Sequence, residues 1–114
     1  MKRDMELVRR VLLDLEDSKS TTHIDGYTED QVKYHQGMVV DEGLAKGTVM
    51  RTQSEMTEIP RAVVLFDLTW AGHDFLEAIR EDTQWNKIKG YLAAGGKVLT
   101  LETAKLAAKQ LFGL

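Results

Sequence analysis

Apolar residues recur along this chain with two different periods, and the switches between them mark its elements. Met5, Leu7, Val8, Val11, Leu12 and Leu15 share one face at helical spacing, while Glu6, Arg9, Arg10 and Asp17 share the other. Asp4 stands where a cap belongs, so a first helix is predicted from there to about residue 17. Leu13 falls off the stripe, as an exposed or an interface residue. A polar connector follows over 18–22. His23-Ile24-Asp25-Gly26 is short and β-tolerant, and is expected as a brief strand or extended stretch.

The second helix is signed at both ends. Thr28 with Gln31 forms a capping box, and Tyr27 and Val32 stand at the positions of a hydrophobic staple. Glu29 and Asp30 occupy the first turn, where the helix dipole favours negative charge. Gly43 supplies a left-handed stop. Val32, His35, Met38 and Val39 make the inner face; Lys33, Tyr34, Gly37 and Asp41 project from the other side, with Asp30 beside them. Two β-rich runs, 44–50 and 62–68, then predict an antiparallel hairpin with a bulge at Gly47. Its polar loop, 51–61, is long for a turn, and loops of that length often carry binding.

Thr69 caps a third helix whose buried face is Ala71, Gly72, Phe75, Leu76, Ala78 and Ile79; Gly72 in that face lets another backbone come close. Helix continues or restarts from Asp82 to Leu92 on Trp85, Ile88 and Leu92, and the Gly95-Gly96 pair breaks it. Thr100 caps a last helix with Leu101, Ala104, Ala107, Ala108, Leu111 and Phe112 in one stripe. Trp70, Trp85 and that stripe read as core; the alternative is a dimer seam, with Leu13, Leu106 and Leu114 as extra apolar surface.

Composition narrows the function. The 114 residues suit one chain-length core, and 43% are hydrophobic, near the soluble-globular average. The absence of cysteine removes disulfides, thiol catalysis and cysteine-held zinc. The start of the sequence is charged and amphipathic, unlike a signal peptide, and no apolar run approaches the ~18 residues of a membrane span. A cytoplasmic protein without membrane attachment is expected. Net charge is −3, against the basic balance usual for small nucleic-acid binders.

Several segments resemble a family of small bacterial and prophage proteins known as a domain of unknown function. They are Met1-Lys2-Arg3-Asp4-Met5, Gly26-Tyr27-Thr28-Glu29 with Tyr34-His35 and Glu42-Gly43-Leu44, and the run Leu68-Thr69-Trp70-Ala71-Gly72-His73 through Arg80 to Lys87. More widely, Val32-x-Tyr34-His35-x-x-x-Val39 before Glu42-Gly43-Leu44, and Leu68-Thr69 before Gly72, resemble winged-helix transcription regulators. That resemblance implies an α+β winged-helix-like domain over 1–82 (helix, short strand, helix, two-stranded wing hairpin, helix). A C-terminal helical extension over 83–114 would pack on it or serve dimerisation. The helix over 28–42 would take the recognition position, and 51–61 the wing. The chain departs from the pattern in one respect: residues 18–27, where a further helix belongs, do not read as helical.

By that resemblance double-stranded DNA is one candidate partner, contacted by Lys33, Tyr34 and Gly37 with Arg51 and Arg61 of the loop. The face itself offers one lysine beside Asp30 and Asp41, which suits a solvated helix side, and the loop's charge sums to about zero. Gly37 costs its helix about 1 kcal/mol against alanine, so close approach of a partner is its expected reason. Lys2, Arg3, Arg9 and Arg10 form the basic cluster, open either to phosphates or to pairing with Glu6 and Asp14. His23, His35 and His73 have no ligand spacing, and His35 between Val32 and Val39 reads as a core histidine. No metal, cofactor or catalytic residue is expected. The rival to a DNA-binding regulator is a protein-interaction module, or a homodimer formed through the C-terminal helices, on the same scaffold.

Overall fold

The computed structural model describes residues 1–51 and 58–113. Among them are five helices and a two-stranded antiparallel sheet: α1 (Met5–Glu16), α2 (Glu29–Asp41), β1 (Ala45–Met50), β2 (Ala62–Leu68), α3 (Trp70–Ile79), α4 (Asp82–Ala94) and α5 (Leu101–Phe112). The fold is mixed α+β. The chain forms two compact units, Met1–His73 and Asp74–Leu114, which divide inside α3. The boundary expected from the sequence, 82/83, falls at the start of α4.

In the first unit α1 buries the six residues of its stripe, Met5 through Leu15, and Leu13 is half-buried. The Asp4 carboxylate accepts from the amides of Glu6 (2.9 Å) and Leu7 (3.3 Å), satisfying donors that a helix start leaves open. Helix α2 carries the full capping box: the Gln31 amide donates to Thr28 Oγ1 (3.1 Å) and the Thr28 amide to Gln31 Oε1 (2.8 Å). Thr28→Ala is expected to cost about 1 kcal/mol, read as a lower urea midpoint with an unchanged slope; an unaltered midpoint would show that water caps this helix equally well.

The stop of α2 is a Schellman motif. Gly43 has φ +75°, its amide donates to Val40 (3.0 Å), and the Leu44 amide donates to Val39 (2.8 Å). The chain then enters the hairpin, whose register runs from Ala45 opposite Leu68 to Met50 opposite Ala62. The register shifts between Lys46 and Gly47, leaving Phe66 as the extra residue on β2. A Cβ at Gly47 would stand 2.5 Å from the Val64 carbonyl and 3.2 Å from side chains of Leu65 and Val40, so only glycine fits beneath the bulge. Helix α2 packs on both strands, and α1 packs on α2 and β2. Leu65, Leu68 and Ala45 are buried with Leu7, Leu12, Val32 and Val39.

Of the brief strand or extended stretch expected at His23–Gly26, no strand is formed: Gly26 has φ +90° and the Tyr27 amide bonds back to Ile24 (3.1 Å), so the chain turns at Asp25 and Gly26, with Ile24 buried before them. A strand needs a neighbour for its amides, and among the described residues the two hairpin strands pair only with each other.

The start of α3 is locked to the end of α2. The Thr69 amide donates to the Leu44 carbonyl (3.0 Å), Thr69 Oγ1 donates to the Gly43 carbonyl (2.5 Å) and in turn accepts from the Gly72 amide (3.0 Å). A Cβ on Gly72 would overlap that same Leu44 carbonyl.

In the second unit α4 buries Trp85, Ile88 and Leu92 and packs against α5, which buries Ala104, Ala107 and Ala108. A second capping box, Thr100 with Thr103, opens α5. The expected α5 stripe is buried only in part: Leu101 and Phe112 are half-buried and Leu111 is exposed. No helix among the described residues is long and apolar enough to cross a membrane.

Candidate interaction surface

On the face of α2 expected to meet DNA, Gly37 and Asp41 lie against the protein's own loop ends. Gly37 is buried, because Pro60 lies over it: a Cβ there would be 3.0 Å from Pro60 Cγ. The close approach inferred from this glycine is real, and an intramolecular proline makes it. Arg51 is held by the Asp41 carboxylate (2.8 Å), and its other terminal nitrogen lies 3.5 Å from the Glu58 carbonyl. Tyr34 is half-buried, its ring edge-on to His35 with centroids 5.2 Å apart. Lys33 is half-buried and Arg61 exposed. The wing expected over 51–61 lies mostly outside the described residues, which resume at Glu58. Within the basic cluster Arg10 pairs with Asp14 at 3.0 Å, one turn away.

Behind that face, two adjacent polar side chains are buried. His35 Nδ1 lies 2.7 Å from the Gln31 carbonyl and accepts nothing there, so it carries the proton; Nε2 accepts from the Asp4 amide at 2.8 Å. Burial holds the imidazole pKa below its ordinary value, outweighing the Gln31 hydrogen bond and the Asp4 charge. Gln36 donates through Nε2 to the carbonyls of Ser20 (3.2 Å) and Thr21 (3.3 Å). Both residues tie segments that precede α2 to it, and neither is presented to a ligand. His23 lies beside Glu29 (3.3 Å) on the surface, and His73 is exposed. Among the described residues no three His, Asp or Glu side chains gather as a metal site.

The surface that stands out is apolar. On the outer side of the hairpin Met50 is 46%, Val64 45% and Phe66 66% exposed, and Trp70, just beyond β2, is 86% exposed. Strand alternation places Val64 and its partner Thr48 on one side, with Met50 two residues along β1 on that side as well. Lys46 and Asp67, paired across the strands, are exposed near the base of the hairpin.

Trp70 corrects the expectation that it is core. The periodicity that defines the α3 stripe contains the signal: at ~100° per residue Trp70 lies about opposite Gly72, Leu76 and Ile79, on the side of His73, Asp74 and Glu77. Phe66 gave a fainter signal, since a residue extruded by a bulge leaves the alternation.

The family model described as "Hypothetical protein (DUF2513)" matches residues 2–97. The chain belongs to the DUF2513 family. That span takes in every element from α1 to α4 and ends before α5. An uncharacterised protein of Haemophilus influenzae is 33% identical over 115 residues, covering 96% of this chain and 93% of its own. No solved structure matches. Neither the family description nor that of the Haemophilus protein names an activity.

Proposed function

We propose that this DUF2513 protein is a binding module, not an enzyme, and that it docks a protein partner on the outer face of the β1–β2 hairpin and Trp70. The observation that carries the reading is the exposure of Trp70 and Phe66 at 86% and 66%. Large aromatics are enriched at interface centres, where they bury much area at little entropic cost, and Phe66 near the end of β2 and Trp70 at the start of α3 lie four residues apart. The elements α1, α2, β1 and β2 follow in an order that we read as a winged-helix scaffold short of one helix and used away from DNA. Supporting this are the pairing of Arg51 with Asp41, the cover of Gly37 by Pro60, and the net charge of −3.

The test uses the two tryptophans, of which Trp85 is buried. Acrylamide should quench one emitting population readily, and Trp70→Phe should abolish that population alone. Incubation with soluble host proteins should protect it. Val64→Thr with Phe66→Thr keeps Trp70 as the reporter; it should leave the melting curve within about 0.5 kcal/mol of wild type, as surface changes do, and remove the protection. Protection that survives both substitutions would sink the reading. So would a random duplex that binds at ~50 mM salt and is released as salt rises, which would return the assignment to DNA.

A further inference from the structure

The second unit carries a separate surface built around α5. A hollow of about 440 Å³ lies between α3 and α5, and another of about 200 Å³, bordered by Tyr91 and Thr103, lies beyond Leu106. Leu106 lines both, so it is a ridge between two depressions, and it is 58% exposed. The larger hollow has an apolar floor of Phe75 and Ala78. It has far more room than the ~150 Å³ in which an apolar cavity holds a benzene ring. Its walls are oppositely charged: Asp74 and Glu77 on α3, Lys105 and Lys109 on α5. All four are exposed, and among the described residues none makes an ion pair.

We propose that a second copy of this chain docks here. The two α5 helices pack about a two-fold axis, each Leu106 enters the other copy's larger hollow, and Lys105 and Lys109 of each copy face Asp74 and Glu77 of the other. A two-fold interface requires one patch to hold both halves of every contact, and this patch does: ridge and hollow, basic wall and acidic wall. A phosphate-bearing partner would meet the lysines and be repelled by the acidic wall facing them. A helix from another protein would need a leucine flanked by lysines one turn apart, which is the pattern of Lys105, Leu106 and Lys109 themselves. The surface lies wholly in the second unit, so the proposal stands independently of the hairpin reading.

Sedimentation equilibrium of the full chain should show a monomer–dimer equilibrium with a dissociation constant tighter than about 1 mM. Leu106→Glu should weaken it at least tenfold or so. The decisive arm is a charge exchange. A Lys105→Glu/Lys109→Glu chain has two acidic walls and an Asp74→Lys/Glu77→Lys chain two basic ones. Each alone should be monomeric with wild-type helical circular dichroism, and an equimolar mixture should form the heterodimer. A misfolded variant has no route to that rescue. A wild-type chain monomeric up to about 1 mM, variants that dimerise as wild type does, or a mixture that stays monomeric would each overturn the proposal.

Discussion

Gly72→Ala is expected to destabilise the protein by about 2–4 kcal/mol, although alanine is the better helix former. Propensity alone would favour the change by about 1 kcal/mol. Against this, the new methyl meets backbone: it would overlap the Leu44 carbonyl oxygen and stand 2.9 Å from its carbon. A flexible side chain would swing aside, but Leu44 is fixed on both sides, donating to Val39 and accepting from Thr69. Relief therefore means moving the start of α3, which stretches the Thr69 bonds to Leu44 and Gly43 together. Overpacking costs about 1–3 kcal/mol and each hydrogen bond about 1. At about 4–8 °C per kcal/mol the melting temperature should fall by roughly 8–32 °C. Gly90→Ala is the control. Gly90 is exposed in α4 with nothing within 4 Å of its Cβ position, so the same substitution should stabilise by about 0.5–1 kcal/mol. Equal shifts of the same sign in the two melting curves would show that Gly72 does not touch Leu44.

The Gly72 contact also shows which parts of the fold are legible in the chain. Gly43 stops a helix and Thr69 starts one by local rules, and both are visible as residue types at fixed spacing. The same holds for the Thr28 and Thr100 caps, the α1 stripe and the bulge beside Gly47. Each is settled within a few residues. What was not legible depends on chain far away. Gly37 looks like a free outward glycine until Pro60 is laid over it, and Arg51 like a free cation until Asp41 is beside it. Gln36 is buried because the connector before α2 presents two carbonyls to it. The stretch at His23–Gly26 has strand composition but no strand to join. Trp70 is a different case: its phase in α3 points away from the buried face, and only its aromatic character suggests core. Of the expected α2 and loop contacts, the structure brings Gly37 and Arg51 together around Pro60 as packing. The apolar hairpin face exists only in the folded chain, where Met50, Val64 and Phe66 stand exposed.

His35→Ala is expected to cost about 3–5 kcal/mol, more than the loss of the ring's volume alone. The ring is buried and bonds two backbone groups from different elements, the Gln31 carbonyl and the Asp4 amide. Removing it leaves the Asp4 amide unpaired, at about 1–3 kcal/mol, partly relieved because Asp4 lies at the start of α1, while the Gln31 carbonyl keeps its place in the α2 backbone ladder. The hydrogen-bond pattern also requires a neutral ring. A proton on Nε2 would point at the Asp4 amide, which is itself a donor, so protonation breaks that bond and charges a buried site. The folded-state pKa therefore lies below the unfolded value of about 6.5. The sign follows: below 6.5 the unfolded chain binds the proton more readily, so this contribution is complete above pH ~6.5 and is lost as pH falls toward the folded-state pKa. Urea unfolding between pH 8 and 5 should show wild-type stability dropping over the acidic half of that range. His35→Gln keeps an acceptor for Asp4 and cannot titrate, so its curve should be lower at pH 8 and flatter toward pH 5. His23 and His73 are exposed and remain in both proteins, so the difference between the two curves isolates His35. Parallel curves for wild type and His35→Gln would mean that the ring is protonated equally easily folded and unfolded, and that the Asp4 amide does not depend on it.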